Sequence, residues 1–317
     1  MRQSQSLRVF SSPSRASGTA IVIFLLCLCS CVPKNKTSSR LKVIASMPVV
    51  YDWTRNLMDE STNTKFFLNL IIKNGLNYHN QTPGTTEENL INTANLLIYV
   101  GGPSEQWIDE IVENTAQTNP NRLVLKLIDY IEQDNAANTT LIDEHFILSP
   151  LHAITCCQKI TEYLCLLDQE NADSYNKFYE KYCRLISILD DTFRLQAQKA
   201  EGTTFIICDR MPLKYVFEQY GFNYIALYDT CPALQTQIEL ETIKQYGKKI
   251  DESGAQAVYV FEDSDKKLAN KIIGNSKNPK CDTLVFDSME SLTLSQLFNG
   301  KNYINIMQNN LTLLRPN

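Results

Sequence analysis

Three histidines are the scarcest reactive side chains in this 317-residue chain: His79, His145 and His152. Any imidazole-based site has to be assembled from them. His79 lies in a polar loop, Tyr78-His79-Asn80, beyond an apolar run. His145 stands beside two acids in Asp143-Glu144-His145-Phe146-Ile147-Leu148-Ser149-Pro150, whose serine can cap a helix. His152 falls in the first turn of that helix and reads as a packing or helix-surface residue. Asp209 and Asp287 each follow an apolar strand-like run. A carboxylate such as Asp287 at the end of an apolar strand calls for a partner, although it could instead cap a turn with Ser288.

The elements that must position these groups alternate along the chain. Strand patterns read at Leu41–Met47, Lys65–Ile72, Leu96–Val100 and Leu123–Leu127, with helices between them. After Gly202 the alternation restarts, with strands at Thr204–Cys208, Tyr224–Tyr228, Ala257–Phe261 and Thr283–Phe286. Between the two halves, Leu151 to Glu201 contains neither Gly nor Pro. A first helix covers Leu151–Leu167, Asp168 and Asn171 allow a break, and a second runs from Ala172 to Ala200. That second helix would be a rod of roughly 43 Å. The expected fold class is α/β: two lobes, each a four-stranded mostly parallel sheet with flanking helices, joined by one long spine helix. The lobes are expected at 41–167 and 202–317, with the spine at 168–201. Ligands in such sheets sit beyond the carboxyl ends of the strands. Those ends carry His79, Asp209 and Asp287, and His145 sits just before the central helices.

Composition narrows the function. The net charge is −5 and the body has no basic cluster, so nucleic-acid binding is not expected. Arg2, Arg8 and Arg15 precede a short apolar run, Ala20–Leu28, that ends on Leu28-Cys29-Ser30-Cys31. This pattern resembles a bacterial lipobox, which implies a signal peptide at 1–30, cleavage before Cys31 and lipid on that cysteine. Residues 31–40 then form a polar tether to the membrane. Seven cysteines remain beyond Cys31, and they form no CxxC zinc motif. An odd number in an exported chain cannot all pair internally.

Several segments together resemble the zinc/manganese solute-binding lipoproteins of bacterial ABC transporters, the TroA-like and ZnuA-like group. The segments are Lys42–Pro48, Gly75–Asn80, Leu97–Gly101 with Trp107, Asp143–Pro150, Phe205–Asp209 with Tyr215 and Tyr220-Gly221, and Val285–Ser288. The resemblance implies capture of a divalent transition metal, Zn2+ or Mn2+, and its delivery to an ABC transporter membrane permease. The protein is then a monomer on the extracytoplasmic side of the envelope, and not an enzyme. The implied metal ligands are His79, His145, Asp209 and Asp287. The third position departs from the family, which carries histidine or glutamate there. Cys208 is the alternative ligand, and Arg210 would shift in under another alignment. Two imidazoles and two carboxylates suit a four- to six-coordinate ion and lean toward manganese. Cys231 is a further candidate near the cleft. Competing readings are a surface adhesin, a binder of an organic or chelated-metal solute, and a metallohydrolase with Glu144 as its base.

Overall fold

Continuous apolar runs fold here as strands covered on both faces. All four residues of Leu96–Tyr99 are buried, as expected for a parallel sheet with helices on each side. The computed structural model describes residues 40–58, 64–72, 79, 83–131, 143–228 and 238–316. The signal segment, the lipobox cysteine Cys31, the tether up to residue 39 and Cys231 lie outside those residues.

The first sheet comprises β1 (Leu41–Ala45), β2 (Phe66–Leu70), β3 (Leu96–Tyr99) and β4 (Leu123–Lys126), in the order β2-β1-β3-β4. The second comprises β5 (Thr204–Ile207), β6 (Asn223–Ala226), β7 (Ala257–Phe261) and β8 (Asp282–Phe286), in the order β6-β5-β7-β8. Every pairing is parallel. The two sheets repeat one topology, and in each the strand order reverses at the centre, between β1 and β3 or between β5 and β7. Such reversal points open a crevice beyond the strand ends.

In chain order the helices are α1 (Pro48–Asn56), α2 (Thr85–Asn92), α3 (Gln106–Asn114), α4 (Pro150–Leu167), α5 (Ala172–Lys199), α6 (Lys214–Tyr220), α7 (Leu240–Ser253), α8 (Lys267–Ile273), α9 (Leu294–Phe298) and α10 (Tyr303–Leu313). The long helix α5 has 28 residues, roughly 42 Å of rod. It buries Tyr175, Tyr182, Ile186, Leu189 and Phe193. Leu185 fits the same periodic pattern but is 46% exposed, one step around the helix from Ile186. Asp168 separates α4 from α5: its Oδ2 accepts from Asn171 Nδ2 at 2.6 Å and from the Tyr175 hydroxyl at 2.8 Å. Ser149 caps α4, its hydroxyl accepting from His152 N at 3.3 Å, with Pro150 in the first turn.

One core runs through both halves. It contains β1 and β3 residues, the buried face of α5, and Ile207, Tyr259, Phe261 and Phe286 from the second sheet. A smaller apolar cluster covers the other face of the second sheet, with Ile206, Cys208, Val258 and Val260. The helix α10 returns to the first half. Tyr303 N donates to Asp52 Oδ2 at 3.0 Å, its hydroxyl donates to the Leu148 carbonyl at 3.2 Å, and its ring meets Trp53 edge-on.

Candidate metal centre

Four segments converge beyond the strand ends. His79 follows β2. Ser104 lies in the turn after β3, where Gly101 and Gly102 both have positive φ. His145 sits in the 3-10 segment Glu144–Leu148 that leads into α4. Glu290 follows β8. Potential ligand atoms of His79, His145 and Glu290 all lie within 4.8 Å of one another. The three residues form the one such His/Cys/Asp/Glu group among the described residues.

The orientation of both imidazoles follows from their neighbours. Glu144 Oε1 stands 3.1 Å from His79 Nδ1, and the Ser104 hydroxyl is 2.7 Å from the same nitrogen. Ser104 also donates to Glu144 Oε1 in a short contact. Asp143 Oδ1 lies 3.1 Å from His145 Nδ1 and accepts from His145 N at 3.0 Å. A carboxylate at Nδ1 holds a proton there and fixes the ring, so Nε2 is the atom that faces the centre of the site: protonated it donates to Glu290, and deprotonated it offers a lone pair. Both Nε2 atoms face one oxygen: Glu290 Oε1 is 3.2 Å from His145 Nε2 and 3.5 Å from His79 Nε2.

Gly102 is what lets Glu144 approach. Its φ is +102°, and a Cβ placed there would meet Glu144 Oε2 at 2.8 Å. Tyr215, on α6, accepts from Asp143 N at 2.9 Å and ties this segment to the second half.

Electrostatics favour an anionic pocket. Burial alone would raise the Glu290 carboxyl, but the hydrogen bonds to His145 and His79 and the Arg210 charge together hold it well below the ordinary range. Glu144 and Asp143 are also held low, against burial, mainly by their hydrogen bonds to His79 and His145 respectively.

The structure brings His79 and His145 together and directs the two aspartates elsewhere. Asp209 Oδ1 accepts from Arg210 N at 2.8 Å and Oδ2 from Phe261 N at 3.0 Å, so it laces β5 to the end of β7. Asp287 caps its own turn through Met289 N at 2.8 Å and pairs with Lys301 Nζ at 2.7 Å. The pleat turns Cys208 away from the two imidazoles: with Ile206 it enters the apolar cluster on the other face of the sheet. Burial in that cluster pushes its thiol up. The carboxylate that the structure places beside the two imidazoles is Glu290, three residues past Asp287. In the sequence Glu290 has the look of a loop acid. The available signal was its place one short turn beyond an apolar strand, where strand-end ligands gather.

Arg210, the residue that shifts into the third position under another alignment, meets Glu290. Arg210 is buried, and its guanidinium pairs with Glu290 Oε2 in a short contact and reaches Asp263 Oδ1 at 2.9 Å. His152 packs between the Phe146 and Tyr215 rings, in keeping with a packing role. The six described cysteines, Cys156, Cys157, Cys165, Cys183, Cys208 and Cys281, are free thiols.

A profile of the family described as ZnuA, zinc-uptake complex component A periplasmic, matches residues 43–316. The zinc-binding lipoprotein AdcA of Streptococcus pneumoniae is 23% identical over 302 residues, covering 92% of this chain and 58% of that protein. The chain thus spans little more than half the length of that relative. The high-affinity zinc uptake system protein ZnuA of Bacillus subtilis is 22% identical over 293 residues, 89% of this chain and 88% of its own length. Among solved structures, the metal-dependent lipoprotein YcdH of Bacillus subtilis superposes with a TM-score of 0.72 at 22% identity, covering 87% of this chain and 98% of that one. The periplasmic zinc-binding protein TroA of Treponema pallidum gives 0.70 at 16%, with coverage of 87% and 98%. At these identities the superpositions establish the fold.

Proposed function

This chain belongs to the ZnuA family of periplasmic zinc-uptake components, and from that premise we propose that it is a solute-binding protein that captures zinc and hands it to an ABC transporter permease. The observation that carries the reading is the convergence of two imidazole Nε2 atoms on one buried carboxylate oxygen. Two nitrogen donors and one carboxylate suit zinc better than manganese, which prefers oxygen-rich sites. His79, His145 and Glu290 are the proposed ligands. Glu144, Ser104 and Asp143 orient the two rings. The zinc-binding names of AdcA and ZnuA support the same metal. Manganese stays the secondary cargo, with zinc ahead of it by the Irving–Williams order.

Glu144 serves here as an orienting group and not as a hydrolytic base, because its Oε1 is engaged by both Ser104 and His79. The laminin-binding titles of some fold neighbours, at 17% identity, transfer no adhesin role. The lipobox reading of Cys31 and the word lipoprotein in the AdcA name support anchoring on the outer side of the membrane, as a monomer beside the permease. The test is metal analysis of protein purified without chelator, followed by zinc titration of the wild type and His145→Ala. One equivalent of zinc in the wild type, lost in the variant, is the expected outcome. Equal zinc binding by both proteins would sink the proposal.

A further inference from the structure

A site that has to hold a dication carries a permanent cation on the one carboxylate that both imidazole Nε2 atoms face. Glu290 is divided between two tasks: Oε1 faces the imidazoles and Oε2 is held by Arg210 Nη1. A guanidinium does not lose its proton in proteins, so this charge stays. The backbone around it is fixed as well. Asp209 accepts from Arg210 N and from Phe261 N, which locks the residue at the β5–β7 crevice. The guanidinium lies 5.9 Å from the centre of the Phe261 ring. Its other amino group holds Asp263, whose side chain is 37% exposed, so the cation has a second seat nearer to solvent.

We propose that Arg210 sets the affinity and release rate of the metal, as a built-in counter-cation that restricts Glu290 to one-oxygen coordination and repels the bound dication. This deepens the zinc-capture reading and rests on it. Without metal, the guanidinium compensates the buried Glu290 charge. With metal at Oε1, two cations share one carboxylate, which weakens binding and shortens the bound lifetime. A transport protein gains from this, because a site of high affinity and slow release would retain its cargo. Asp263 provides the place toward which the guanidinium shifts as the metal arrives.

The test uses the full chain with zinc as the probe. Chelator competition gives affinity and stopped-flow capture gives the release rate, for the wild type, Arg210→Gln, Arg210→Lys and Arg210→His. Arg210→Gln is expected to bind zinc roughly ten- to a hundredfold more tightly and to release it correspondingly more slowly. Arg210→Lys, which keeps the charge, should stay near the wild type. Arg210→His, which removes the fixed charge and offers a nitrogen, should bind at least as tightly as Arg210→Gln. An Arg210→Gln protein that folds only when zinc is present also supports the role, since zinc then replaces the missing counter-charge. Equal or weaker binding by Arg210→Gln, beside a wild type that does bind, overturns the inference and leaves zinc capture standing. Neutral variants that stay unfolded in saturating zinc overturn it too, because Arg210 would then be holding the fold. A wild type that takes up no zinc overturns the zinc-capture reading itself, and the inference with it.

Discussion

At the scale of residues, the site is a set of paired charges whose balance changes when a dication enters. Glu290→Gln keeps the shape and removes the anion, and zinc affinity should fall by at least two orders of magnitude in a competition titration. Glu144→Gln touches no proposed ligand atom. It should still cost about 10- to 100-fold, because the group that orients His79 is weakened. The imidazoles must be neutral to bind, so affinity should drop on acidification through the histidine range, with protons released on binding. Glu262 gives a separate pH signature. Burial, and then the nearby Asp287 charge, raise its carboxyl to about 7. An acid whose folded-state pKa lies above its unfolded value holds an extra proton when folded. Stability should therefore decline as pH rises from about 4.5 to about 7. In Glu262→Gln that part of the decline should vanish, amounting to about 1–3 kcal/mol between pH 5 and 8 in chemical denaturation. A profile with the wild-type slope would refute the assignment.

At the scale of elements, turns and caps set the donors in place. Gly102 combines a left-handed backbone with close contact to Glu144. Gly102→Ala should destabilise the protein by about 1–3 kcal/mol and weaken zinc binding together, through displacement of Glu144. Thermal melts and a zinc titration on one preparation would check both halves of that outcome. The helix α5 contributes as a continuous rod. Asp190, on it, accepts from the Tyr220 hydroxyl at 2.7 Å and from Arg194 Nε at 3.1 Å, which fastens α6 to the rod. Phe193 stacks on Tyr220 in the same place, with centroids 5.1 Å apart. Phe193→Ala should cost about 3–5 kcal/mol, as a buried aromatic lost from a core shared by both halves.

At the scale of the whole molecule, the shared core and the return of α10 limit motion. The Tyr303 bonds to Asp52 and Leu148, together with the long helix, connect the two sheets by three routes. A continuous helix without Pro, Gly or a π-bulge resists sharp bending. Scattering profiles with and without zinc should therefore nearly superimpose. A large fall in radius of gyration on adding zinc would show wide closure and refute this. Zinc should also raise the unfolding midpoint, by about 2.7 kcal/mol of stability at a hundredfold excess over Kd.

The repeated α/β halves, the long gap-free helix, its break at Asp168, His79 beyond a strand end and His145 just before the central helices were all legible in the sequence. Those features rest on local periodicity, on the lack of Gly and Pro over fifty residues, and on strand-end positions, all carried by neighbours in the chain. The carboxylate that meets the two imidazoles was not legible. Asp287, Asp209 and Glu290 are all acids near strand ends, and sequence spacing cannot tell which one points inward. That choice was made by Lys301 and Met289 N, which occupy Asp287, and by Phe261 N, which draws Asp209 across to β7. Cys208 was decided by pleat, since one residue of register moves a side chain from the crevice to the outer core. Arg210 reaches the site only because the segments after β5 and β8 meet beyond the same edge of the parallel sheet, which brings Arg210 to Glu290 across eighty positions of chain. Local pattern fixed the scaffold, and long-range convergence decided which charges meet within it.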